Sequence, residues 1–284
     1  MNKLVFIIAI FFLFGFQKHE TYIDYSNNDV MKYLQANTEE GYCIMLELLE
    51  NYDRNTKSNG EKHSPSEYLE LFFKDAKTTL DSIQGAGTLI HESIHRLNKS
   101  DLYTYNYFLS CTNKIQAKHT STFKSRKIIE IIPDSCKTLR FDYYIDIKSN
   151  HITQVDGIYG LLDEFNAYYK GVQAKYDFRN HINDSLYLAG IVVSEMQAYY
   201  EFKYYILTYL IYAEEKYNSK FNAILNNGDF KAVFRYIDTN YATLVNKFIN
   251  DGNTISWVGK DNVHCLINVL QTPEYQKMIS QINE

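Results

Sequence analysis

Residues 91–95 read His-Glu-Ser-Ile-His, a pattern whose chemistry exists only if the segment is helical. On a helix, positions i and i+4 lie one turn apart on one face, so the imidazoles of His91 and His95 reach a common point. A zinc ion accepts two such nitrogens and a third ligand, and keeps a place for water. Glu92 projects beside the pair, where its carboxylate can take a proton from that water. Thr88, Leu89, Ile90, Ile94 and Leu97 make the flanks largely apolar, as suits a helix crossing an interior beneath a cleft, with Arg96 the exception. Two other readings compete: surface histidines on an ordinary amphipathic helix, and a degenerate site that binds no metal or holds it without catalysis.

A third ligand must come from elsewhere in the chain. Leu161, Phe165, Tyr168 and Val172 form an apolar stripe at helical spacing, and Glu164 borders it. A carboxylate there needs a partner, because leaving it unpaired in an apolar setting is costly. A metal is one such partner; an ion pair or a solvated helix shoulder is another. Asp163 and Glu195 are the alternative ligands. Glu195 belongs to an echo, since Glu164-Phe-Asn-Ala-Tyr-Tyr and Glu195-Met-Gln-Ala-Tyr-Tyr share a pattern. Two copies do not make a solenoid; they suggest two similar helices facing one core.

Through Thr88 to Leu97 the chain resembles the zincin superfamily of metallopeptidases. Asn98 and Asp101 stand where a metzincin would carry a glycine and a third histidine, and the aspzincin Gly-Thr-x-x-Asp is absent. What remains is similar to the gluzincins, several of which place their third ligand in a Glu-x-x-Ala pattern, here Glu164-Phe165-Asn166-Ala167. The resemblance covers about ten residues around His91 and a shorter match at Glu164. It implies Zn2+ held by His91, His95 and Glu164, with Glu92 as general base in peptide-bond hydrolysis and a peptide or protein substrate. It also implies a tyrosine or histidine that stabilises the oxyanion. Tyr159, Tyr168, Tyr169, Tyr199 and His151 are candidates, and the sequence leaves the choice open. The remaining histidines (His19, His63, His119, His181 and His264) show no ligand spacing. Gluzincins usually place their sheet before the metal-binding helix, whereas here residues 20–85 read as helical. The substrate-aligning strand would then come from residues 101–148. A second class remains beside this one: an exported binding protein with a vestigial zincin core. A zinc hydrolase acting on something other than a peptide is a third.

The pattern along the chain predicts an α+β fold, predominantly helical, with a zincin-like helical core and a small antiparallel β-meander between the two ligand-bearing helices. Residues 29–54 carry apolar positions at helical spacing, and residues 51–63 read as a loop. Ser64-Pro65-Ser66-Glu67 looks like a capped helix start, with that helix running to about Gln84. Gly85-Ala86-Gly87 allows a break before a second helix to Asn98. Residues 102–109 alternate with period two, and residues 127–132 and 139–147 are β-rich, so a meander is expected over 101–148. Lys118, Lys124, Arg126 and Lys127 read as a solvated turn. A long helix is expected over residues 183–217 and shorter ones over 220–284. The domain reading is a catalytic region over 18–180 and a C-terminal helical lobe over 181–284.

An almost unbroken apolar run of thirteen residues, 4–16, follows Lys3, too short to span a bilayer but suited to a secretory signal over residues 1–17. No later segment is apolar enough to span a membrane. Export would make Cys43, Cys111, Cys136 and Cys265 disulfide partners. Three pairings are possible, Cys111–Cys136 is the nearest local one, and four buried thiols are the alternative. The chain has a net charge of −5, which gives no general attraction to nucleic acid. Only 15 of its 284 residues are Gly or Pro, against 45% apolar, which excludes a disordered or linker-rich chain. The 26 tyrosines are unusual, and composition alone assigns them no role.

Overall fold

The computed structural model describes residues 27–51, 65–76, 78–98, 104–181, 185–251 and 263–284. The proposed signal segment, Ser64, His19 and His63 lie outside them. Helices α1 (Asn27–Asn37) and α2 (Glu39–Glu50) divide at Thr38, whose hydroxyl accepts from the Gly41 N–H at 3.2 Å. Glu39 and Glu40 then sit in the first turn of α2, where the helix dipole favours them. Helix α3 (Pro65–Phe73) stops well short of Gln84. The chain turns and starts again at Thr78, which exchanges hydrogen bonds with Asp81: the Thr78 N–H donates to Asp81 Oδ2, and the Asp81 N–H donates to Thr78 Oγ1. This capping box opens α4 (Thr79–Asn98).

Helix α4 runs unbroken through Gly85 and Gly87, contrary to the expected break. Packing explains these glycines better than flexibility does. A Cβ on Gly171 of the facing helix would stand 2.9 Å from the Gly87 carbonyl oxygen, and one on Gly87 would strike the Lys175 side chain. The two glycines let the helix that carries His91 and His95 lie almost backbone to backbone against the helix that carries Glu164.

Strands β1 (Thr104–Ser110) and β2 (Asn113–Lys118) form a two-stranded antiparallel sheet. The expected meander is thus reduced to one hairpin. Ser125–Ile131 is a 3-10 helix and Phe141–Tyr144 one helical turn, α5. The β-branched residues of these segments meet no partner strand; Ile128 and Ile132 are buried one by one in the main core. One backbone donor there is satisfied by a side chain instead: the Arg126 N–H donates to Gln154 Oε1 at 3.0 Å. The short helix α6 (Ile152–Val155) follows.

Helix α7 (Ile158–Asp177) begins at Gly157, whose φ of 59° is open to glycine at little cost, and whose Cβ would meet the Phe123 carbonyl oxygen at 2.5 Å. It is buried on nearly every side and stands between two apolar clusters. Ala167 and Ala174, with Phe178 just past its end, face a cluster built mainly from α1 to α4, which includes Leu34, Ile44, Leu89 and Ile94. Leu161, Phe165 and Val172 face the larger cluster. That cluster takes in α8 (Ser185–Lys216), α9 (Asn218–Leu225), α10 (Gly228–Asn250), α11 (Val263–Leu270) and α12 (Pro273–Asn283). The fold is therefore predominantly helical α+β, with its small sheet between the two helices of interest.

Two disulfides, Cys43–Cys111 and Cys136–Cys265, replace the expected local pairing of Cys111 with Cys136. The first ties α2 to the hairpin turn, and the second ties residue 136 to α11. Both join elements far apart in sequence, which local spacing could not disclose. Two disulfides fit an oxidising compartment. Among the described residues no helix is long and apolar enough to cross a membrane.

Candidate metal centre

Helices α4 and α7 cross so that His91, His95 and Glu164 converge. The Nε2 atoms of the two histidines lie 3.1 Å apart, and Glu164 Oε2 stands 3.7 Å from His91 Nε2 and 3.5 Å from His95 Nε2. Ligand atoms at zinc distances around a tetrahedral ion are separated by about 3.3 Å. The three atoms therefore already have the spacing of one coordination shell. Glu164 Oε2 is buried and makes no hydrogen bond, which is a costly state for a carboxylate oxygen unless a cation meets it. These three residues could hold a metal ion.

Asp163, an alternative ligand by sequence, faces away from the convergence point. Its Oδ2 lies 2.7 Å from His95 Nδ1, and its Oδ1 accepts from Asn98 Nδ2 at 2.7 Å. This carboxylate fixes the His95 ring with Nε2 toward the site, the arrangement metal-binding histidines adopt when oriented from behind. Asn98 in turn accepts from the Phe108 N–H at 2.8 Å, and Asn166 donates to the Phe108 carbonyl at 3.0 Å. The strand is thereby fastened to both helices, and its backbone groups at Phe108 are unavailable to a substrate. Glu195 is also removed from the ligand list, because it pairs with Lys175. The echoed motif does place two similar helices on one core: Phe165 and Tyr169 of α7 and Tyr199 of α8 all pack against Tyr241.

A cavity of about 280 Å³ opens over the site, lined by His91, Glu92, His95, Tyr144, His151, Ile152 and Glu164. Glu92 reaches it from the solvent side of α4. Lost hydration raises its carboxyl pKa, the His95 charge opposes this, and Glu164 adds to it. Burial, reinforced by the neighbouring His95, holds His91 below the usual imidazole value. Burial acts the same way on His95, but Asp163 and Glu164 outweigh it and raise the pKa.

Of the candidate oxyanion donors, His151 lines the cavity, with Nε2 3.7 Å from Glu164 Oε1. Tyr168 lies edge-on to His91, ring centroids 4.6 Å apart. The rest are engaged elsewhere. The Tyr159 hydroxyl accepts from Asn227 Nδ2, Tyr199 donates to Asp238, and Tyr169 packs on Tyr241. Tyr144 reaches the cavity although it carried no local signal, because it lies in a stretch that reads as strand. Arg96, the polar exception on α4, stacks its guanidinium 4.0 Å from the Tyr68 ring centroid. His119 is structural, sandwiched between Tyr105 and Tyr159.

No family model matches the chain, and no curated protein or solved structure matches it either. The functional reading therefore stands on the geometry and chemistry of the site.

Proposed function

We propose that the protein is an exported zinc-dependent metallopeptidase of gluzincin-like design. The observation that carries this reading is the spacing of His91, His95 and Glu164, together with the buried Glu164 oxygen of that group that makes no hydrogen bond. Zinc is the metal of choice, since two imidazoles and one carboxylate are a common catalytic zinc donor set. Zinc bound there supplies an acidic water and a polarised carbonyl.

The chain's own residues account for the rest. Asp163 holds His95 in the tautomer that presents Nε2. Glu92, at the cavity and with a raised pKa, accepts the proton of the attacking water and delivers it to the leaving amine. Tyr144 and His151 are the cavity groups able to donate to the oxyanion of the tetrahedral intermediate. The two disulfides and the apolar run of residues 4–16 support export.

The test is metal analysis of the purified protein with a broad peptide-cleavage assay. One zinc per chain is expected, with activity lost on chelation and restored by zinc. Protein that takes up no zinc would refute the reading. A vestigial centre in an exported binding protein is the second reading; bound zinc without cleavage of any peptide would favour it.

A further inference from the structure

Behind the cavity lies an ion pair that hydrolysis does not itself require. Arg140 Nη1 donates to Glu201 Oε2 at 2.6 Å, with side chains 7% and 0% exposed. The Arg140 backbone N–H adds a bond to Glu201 Oε1, while its Nε is buried without a partner. Such a pair is expensive to desolvate and is often replaceable by apolar residues at no loss of stability, so stability is a poor reason for it. Its position is more informative. The guanidinium lies 4.6 Å from the Tyr168 ring centroid, the Tyr168 and Tyr144 hydroxyls are 2.9 Å apart, and Tyr144 lines the cavity.

Two hydroxyls in contact share one proton between them and direct the other elsewhere. A cation beside Tyr168 makes its O–H the better donor of the two, so that proton points at the Tyr144 oxygen. The Tyr144 proton is then left to face the cavity, where the Glu164 carboxylate also attracts it. We propose that Arg140 is a positioning residue which, through Tyr168, turns the Tyr144 hydroxyl proton toward the cavity, so that an oxygen ligand held at the metal centre accepts a Tyr144 hydrogen bond. This rests on the metal centre of the proposed function and adds a device that sets the direction of its donor.

The test uses the full-length zinc-loaded protein with acetohydroxamate as probe, its affinity measured by calorimetry. Loss of a hydrogen bond to a charged group is expected to weaken the probe about tenfold in Tyr144→Phe. The paired change Arg140→Met with Glu201→Met leaves no unpaired buried charge. It should weaken the probe by about threefold to tenfold while zinc affinity stays within about twofold. On the Tyr144→Phe background the same paired change should have no further effect, a non-additivity that a merely structural role does not produce. Full additivity, or loss of zinc in the paired variant, would overturn the proposal. If the paired variant does not fold, Tyr168→Phe removes the linking hydroxyl, and its loss must also vanish in the Tyr144→Phe background. The probe requires metal and not turnover. Native protein that binds zinc and probe but cleaves nothing therefore refutes the hydrolytic reading alone, whereas zinc-loaded protein that cleaves peptides but does not bind the probe refutes the present proposal alone.

Discussion

Asp163 and His95 meet at 2.7 Å, carboxylate Oδ2 to ring Nδ1, while the next residue in the chain, Glu164, approaches the opposite edge of the same ring. Two consecutive acids on one helix thus face different ways: one orients the histidine, the other stands where it could complete a metal's coordination shell. Substituting Asp163→Ala should lower zinc affinity about 10- to 100-fold without changing stoichiometry. A competition titration against a chromogenic chelator measures it. Unchanged affinity would mean that His95 needs no support from behind.

Glu164→Ala removes the proposed third ligand instead of a ligand's support. Zinc affinity should fall by orders of magnitude, well beyond the loss in Asp163→Ala, because two histidines alone make a poor site. Unchanged zinc affinity in the same competition titration would contradict this account of Glu164.

His91, Glu92 and His95 are legible in the sequence because their geometry is local: once the segment is helical, i and i+4 must face the same way. Glu164 is legible for a related reason, standing beside an apolar stripe. Asp163 and Glu195 could not be separated from it by sequence, since that required knowing which way α7 turns against α4 and that Lys175 lies within reach of Glu195. Tyr144 and Asn98 depend wholly on tertiary contact. Ile128 to Ile132 illustrates the opposite failure: β-branched residues suggested a strand, but no partner strand exists for them, and burial of single side chains decided the backbone. The pairing of the four cysteines is hidden in the same way, because proximity in sequence says little about residues drawn together by packing.

The disulfide Cys136–Cys265 closes the longer loop, spanning 129 residues. Replacing both cysteines with serine should cost about 2–4 kcal/mol, read as a lower denaturation midpoint. An unreduced digest should show Cys43 peptides joined to Cys111 peptides; a Cys111–Cys136 linkage would refute the observed pairing.

The tyrosines carry a pH prediction. Burial pushes the Tyr68 hydroxyl up to about 12, and raises Tyr105, Tyr107 and Tyr209 as well, with nearby acids adding at Tyr105 and Tyr107. A group whose folded pKa exceeds its unfolded value of 10.0 stabilises the fold fully below pH 10 and progressively less as pH rises toward the folded value. Stability should therefore fall steeply above about pH 10, with tyrosinate absorbance appearing together with loss of helical circular dichroism. Smooth ionisation of all tyrosines near pH 10 with the fold intact would contradict their burial.

The most direct measurement of the central claim is Glu92→Gln in the peptide-cleavage assay, with zinc content determined on the same sample. The amide keeps the size of the side chain and leaves His91, His95 and Glu164 untouched, so one zinc per chain should remain. Cleavage should fall by about 100-fold or more, as expected when a positioned general base is lost. Full zinc with near-native cleavage would contradict the role assigned to Glu92.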